Sequence, residues 1–281
     1  MAGLKNISKR KKVFLIVWLT LIAILLALIF LFGFPAKESE ESIKEMMKDA
    51  VLHEHNKVSF FGLAVNPAVV SGYIVTAVLL IAALLIRIFA IPKFKNVPNK
   101  FQSVIEKAVE FFSTMAQNNS PHKPKFVGAY IFSAGIYIFF STIFELFGFQ
   151  ATTTNGMIIA LPAPLADINA AIAMGFTSFG VILGAGIITN GFKGALKVLK
   201  DFSLPISMSF RLFGALLSGL LVTELVYYFV SLSFVLPVLV GILFTLLHAL
   251  IQAYVLTTLV SIFYGEAVEP NKPKKLNKKV N

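Results

Sequence analysis

The sequence predicts an all-α polytopic membrane protein with six transmembrane helices, an additional interfacial amphipathic helix, and two long antiparallel C-terminal helices. Three observations lead there. Of 281 residues, 57% are hydrophobic and only 14% charged, too few polar groups to cover a water-facing surface. Six stretches, 13–34, 67–91, 126–149, 168–190, 203–231 and 234–264, reach across hydrocarbon as helices, the form that satisfies backbone polar groups within the segment. Finally, basic residues alternate between connections. The N-terminus, the 87–125 connection, the 193–200 loop and the tail hold 20 of the 25 Lys and Arg, whereas 150–167 holds none. By the positive-inside rule both termini are cytoplasmic, as an even number of crossings requires.

The first span follows Lys5, Lys9, Arg10, Lys11 and Lys12. Its 22 residues exceed a signal-peptide core and no small-x-small site follows, so a retained anchor is expected over 1–34. Residues 35–66 carry six acids against four Lys, the mark of an external polar segment of helical character. Its His53 and His55 are read as solvated. Between the second and third spans, Phe101, Val104, Ile105, Ala108, Val109, Phe112, Met115 and Ala116 share one helical face opposite a polar one. That helix is expected to lie in the cytoplasmic interface, with Lys100 and Lys107 at the lipid headgroups. The membrane domain occupies 67–265, and 266–281 form a basic cytoplasmic tail. Membrane lipids are therefore one partner. The net charge of +11 is spread over loops instead of one soluble face and does not indicate nucleic acid. Without Cys, and with four His at no ligand spacing, neither metal nor cofactor is expected.

The fifth span contains Arg211 in the middle of an apolar run, eight residues beyond Ser203, which with Pro205 and Asp201 marks the helix start. At about 1.5 Å per residue the guanidinium lies about 12 Å along the axis. A cation at the bilayer centre costs about 2.5–3.5 kcal/mol, so a compensating anion is required. Snorkelling to the interface is the bland alternative. Ser207, Gly214, Ala215, Ser218 and Gly219 leave one side of the helix nearly bare, open to close approach by another helix. On the sixth span, Thr245, His248 and Gln252 share a face. The short "SLSF" turn makes the two helices antiparallel, with Gln252 near the depth of Arg211. Glu224 lies roughly 20 Å further toward the outside at about 1.5 Å per residue. Glu145, Asp167 and Asn169 approach from the same side, and together these groups describe a hydrated external route.

Four ordered stretches, "VPNKFQSVIEKAVEF", "LPAPLADINAAIA", "PISMSFRLFG" and "LIQAYVLTTLVSIFY", make residues 60–265 resemble the a subunit of the F-type ATP synthase, bacterial type. The resemblance implies a stator subunit in the bacterial cell membrane, non-catalytic on its own and without a cofactor. Its implied partners are the c-ring, peripheral stalk subunit b and, through the stalk, the F1 sector. It further implies that the two C-terminal helices are tilted and face the rotor, that Arg211 meets the ring carboxylate, and that two offset half-channels deliver protons to it. An Arg about 4 Å from a carboxylate contributes about 4 kcal/mol at an effective dielectric near 20, or about three pKa units. The family's usual Asn, acid or His positions hold Ala215, Leu220 and Thr245 here. Glu224 and His248 stand a turn from the last two, Glu145 replaces a usual Asn, and the first span is an addition. Two other classes fit the sequence less well. A self-contained secondary transporter with an anion site at Arg211 lacks the internal repeat such folds often show. An intramembrane enzyme lacks a nucleophile, paired-acid or metal constellation.

Overall fold

The structure, a computed structural model, describes residues 57–60, 62–156, 158–228 and 236–270, together with Val17 and Thr20. The predicted first span, most of 35–66, the "SLSF" turn and the tail beyond 270 lie outside the described residues. Among those described, Pro67–Lys93, Pro124–Phe147, Ile168–Leu199 and Gly241–Val268 are long and apolar enough to cross a membrane. They correspond to the second, third, fourth and sixth predicted spans, and the fifth is a helix over Ser203–Tyr228.

The order is β1 (Val58–Phe60), β2 (Leu63–Val65), α1 (Pro67–Leu85), α2 (Lys100–Asn119), α3 (Pro124–Ile143), β3 (Gln150–Thr152), β4 (Ile158–Ala160), α4 (Ile168–Leu199), α5 (Ser203–Tyr228) and α6 (Leu236–Val268). The two short antiparallel hairpins, β1–β2 and β3–β4, were not anticipated in an all-α reading; a bridge between Val58 and Thr153 joins them. They form one end of the bundle, called here the hairpin end. At three residues per strand they fall below the length at which period-2 patterning is legible.

Asn66 starts α1 by accepting from Ala68 N at 2.9 Å, and Pro67 fits the first turn. At the other end the helix passes through a π turn, Ile86–Ala90, and stops at the Pro92-containing turn Ile91–Lys93. The Gln102 side chain then clasps the following connection: Oε1 accepts from Lys95 N at 3.1 Å and Nε2 donates to Lys95 O at 2.7 Å. Helix α2 is amphipathic as expected. Phe112 and Ala116 are buried while Phe101, Val104 and Val109 stay exposed, an apolar edge suited to lipid.

The expected 193–200 loop is a correction. Helix α4 continues to Leu199 beyond a break at Gly191, whose φ of 60° and ψ of −145° belong to a region glycine adopts without steric cost. The backbone reverses there, and Gly186 and Gly194 come into contact, leaving no room for a Cβ on Gly194. Residues on both sides of the break secure the end of α6: just before it, Asn190 Nδ2 donates to Ala267 O and Glu269 O at 3.0 Å each. Lys197 Nζ donates to Glu266 O at 2.6 Å and lies 3.9 Å from Glu269 Oε2. Carbonyls that the helix cannot satisfy internally thus find donors, and a cation sits at the negative end of the dipole.

Helices α3, α4, α5 and α6 share one core, with Ile131, Ile138, Ile182, Met208, Leu212 and Val260 at its centre. Apolar burial does not distinguish helix from lipid here, so close backbone approach has to hold the bundle. Gly135 lies under the Phe112 ring and against Thr257, and Gly265 admits the Asn119 carbonyl. Asn119 Nδ2 donates to Ser261 Oγ at 2.7 Å. A Cβ on Gly175 would meet the Ser209 hydroxyl and lie 2.8 Å from Pro205 O. Gly175→Ala is therefore expected to cost roughly 1–3 kcal/mol through overpacking, read as a lower melting temperature of the detergent-solubilised protein. Gly180→Ala, where a Cβ meets nothing within 4 Å, leaves it unchanged. Equal melting of the two variants would contradict the close α4–α5 contact.

Candidate functional site

Helix α5 divides cleanly into two faces. Leu204, Met208, Leu212 and Leu216 are buried in the bundle, whereas Ile206, Ser207, Phe210, Arg211, Gly214 and Ser218 are exposed. Of the small residues expected beside the Arg, Ser207, Gly214 and Ser218 lie on its open face, and Ala215 and Gly219 are half-buried at the margin. A Cβ added to Gly214 or Gly219 would meet nothing within 4 Å. Among the described residues Arg211 makes no ion pair or hydrogen bond, though it is permanently charged. Among the described residues the cation is thus left without an anion, beside small side chains that permit close approach.

Helix α6 runs antiparallel to α5: Leu204, near the start of one, shares a small pocket with Phe263, Glu266 and Ala267, near the end of the other. Gln252 is buried, while Thr245 and His248 are half-buried. His248 Nδ1 lies 2.7 Å from Phe244 O, and its ring stacks on the Phe244 ring at 5.6 Å. A carbonyl only accepts, so Nδ1 carries the hydrogen, and Nε2 is the ring nitrogen not committed to this bond. That leaves an atom able to take and return a proton.

The remaining predicted groups divide between helix ends and the half-buried rim. Asp167 caps α4, its Oδ1 accepting from Asn169 N at 2.7 Å and Ala170 N at 3.2 Å. Its Oδ2 accepts from Asn66 Nδ2 at 2.6 Å. Asn169 is exposed beside it, and Glu145 is half-buried in the 3-10 turn Phe144–Phe147. Glu224 belongs to α5, in a stretch whose side chains lie outside the described residues. Nothing described brings Glu145 or Asp167 into contact with Arg211.

Two features escaped the sequence reading. Ser141, one helical turn before Glu145, has a buried hydroxyl with no partner among the described residues. A lone Ser in an apolar helix gives no signal, because it ordinarily bonds back to the preceding turn, as Thr142 does to Ile138 O at 2.8 Å. The second is a groove of about 550 Å³ between α2 and α6, lined by Lys107, Glu110, Thr114, Asn118, Tyr254 and Thr258. Its signal was present in the spacing of 107, 110, 114 and 118 by three and four on the polar face of α2.

A family model described as ATP synthase A chain matches residues 71–265, from α1 to near the end of α6. No curated protein matches the chain.

Because the chain contains no Cys, single cysteines report exposure directly. In the solubilised protein, Ser207→Cys and Gly214→Cys should react with a small thiol reagent many-fold faster than Met208→Cys or Leu212→Cys, whose native side chains are each 1% exposed. Matching rates would show that the face bearing Arg211 is not open.

Proposed function

The chain belongs to the ATP synthase A chain family, and from that premise we propose that Arg211 is the stator cation against which the carboxylates of a rotating c-ring are discharged. Membership makes the protein a multi-pass component of the proton-translocating Fo membrane sector, distinct from the subunit that carries ATP chemistry. The observation that carries the finer reading is the unpaired Arg211 on an exposed, small-residue face of α5. Burial of the cation costs about 2.5–3.5 kcal/mol, and a carboxylate about 4 Å away contributes about 4 kcal/mol at an effective dielectric near 20. The second figure offsets the first when a carboxylate of another polypeptide is brought alongside, none being in contact with Arg211 among the described residues.

On this reading the hairpin end faces outward and both termini are cytoplasmic. The outer half-channel opens beside the Asp167 cap and passes Asn169, then Glu145, Ser141, Glu224, Thr245 and His248, with Gln252 nearest the gate. His248 Nε2 accepts a proton arriving along this route and returns it toward the ring. The groove between α2 and α6 opens toward the other side and serves the inner half-channel. Because Arg211 cannot deprotonate, its fixed charge opposes a proton crossing directly between the two routes. A ring carboxyl is protonated while it faces lipid and loses its proton beside Arg211, which converts proton flow into one direction of rotation. Peripheral stalk subunit b holds the chain against the F1 sector in the bacterial cell membrane.

Arg211→Ala is expected to abolish ATP-driven proton pumping by the reconstituted complex while leaving its subunit composition unchanged. Arg211→Lys should not restore full coupling, since a point-charge ammonium cannot reproduce the planar fork. Fluorescence quenching of a pH dye in vesicles reads both, and persistent coupled pumping in Arg211→Ala would refute the gate. His248→Ala should slow, without abolishing, passive proton flow through F1-stripped vesicles. An unchanged rate would remove His248 from the outer route.

A further inference from the structure

The one carboxylate at the hairpin end whose partners are all visible is Asp167, and they are not those of a proton relay. Both of its oxygens are engaged: Oδ1 by the backbone amides of Asn169 and Ala170, Oδ2 by Asn66 Nδ2 at 2.6 Å. Asn66 is equally committed, since its Oδ1 caps α1 through Ala68 N. The two residues, 101 positions apart, are thus the N-caps of two helices, tied to each other by a charge-assisted hydrogen bond. Three of the carboxylate's about four acceptor sites are thus spent on holding two helix starts together.

The tie matters because α1 has little else holding it. Only Pro67, Ala68, Val70, Ser71 and Val75 of α1 are buried, all in its first half. The turn Pro164–Ala166 runs directly into Asp167 and packs on α1, α3, α4 and α5. Leu165 of that turn is 1% exposed and belongs to the same buried cluster as Met208 and Leu212, which flank Arg211 on its own helix.

We infer that Asn66 and Asp167 form a latch between the starts of α1 and α4, and that Asp167 is a positioning residue that sets the register of the Pro164–Ala166 turn, and through it of α5, instead of carrying protons. The functional arm of this inference rests on the reading of Arg211 above; the structural arm does not. The test exchanges the pair. Asn and Asp are nearly equivalent caps, so Asn66→Asp with Asp167→Asn retains both helix starts and one amide–carboxylate bond, but removes the carboxylate from 167.

In the reconstituted complex, Asp167→Ala should lose most of the protons pumped per ATP hydrolysed. The exchanged pair should recover most of them, with a pH profile that superimposes on that of the unmodified protein. An exchanged pair as impaired as Asp167→Ala, or a displaced profile, would make 167 a titrating relay and overturn the latch. Should Asp167→Ala fail to assemble, Asn66→Ala, which leaves the carboxylate and its α4 cap in place, is expected to show the same loss in weaker form. Undiminished pumping by Asn66→Ala would overturn the inference. Melting of the solubilised chain isolates the structural arm. Asn66→Ala and Asp167→Ala should each lower the midpoint by roughly 5 °C, and the double variant by less than their sum; strict additivity would contradict the latch. If Arg211→Ala still pumps while the melting cycle shows coupling, the reading of Arg211 fails and the latch stands.

Discussion

A permanent positive charge placed among apolar side chains sets the terms for the whole chain. Arg211 has no acid beside it among the described residues, and under the proposed function a ring carboxylate balances its charge. Its surroundings are consistent with that need. Along the line of Ser207, Gly214 and Ser218 the helix projects little beyond the backbone, with the exposed Ile206 and Phe210 to one side, whereas the opposite face carries Leu204, Met208, Leu212 and Leu216 into the core. A bulky residue on the open face would hold an incoming carboxylate beyond the distance at which attraction exceeds desolvation.

The second constraint is cohesion without a hydrophobic driving force. Lipid satisfies apolar surface as well as a neighbouring helix does, so specificity comes from where backbones can touch. Gly135, Gly175, Gly194 and Gly265 each sit where a Cβ would collide with a neighbour, while Gly180, Gly184 and Gly214 do not. The glycines of this chain therefore fall into two kinds, one setting helix separation and the other keeping a surface low. Hydroxyl side chains add short bonds within and between helices, such as Tyr130 to Ser178 at 2.8 Å and Ser209 to Pro205 O at 2.7 Å.

Hydropathy made two of the spans legible to within a few residues: 67–91 became Pro67–Lys93 and 126–149 became Pro124–Phe147. This precision follows from the expense of a polar backbone or charge in hydrocarbon, which no local preference overrides. The amphipathic helix at Lys100–Asn119 was legible for the related reason that its period is 3.6. The hairpins and the reversal at Gly191 were not, because they depend on three-residue strands and on one backbone angle. At the site, the solitary charge in "SFRLFGALLSG" identified Arg211 and its open face directly. The partnering of Asp167 was hidden, since a residue 101 positions away supplies the bond.

The short arm beyond Gly191 bears on mechanics. A 33-residue helix such as α6 is a lever, and a rotor turning past the adjoining α5 would load this helix pair sideways. Asn190 and Lys197 tie the last carbonyls of that lever to a second helix, so a tangential push is transmitted into the bundle before it can unwind the free end. Under the proposed function, stiffness at that joint would govern how much of each ring step is lost as elastic strain in the stator before the next step begins.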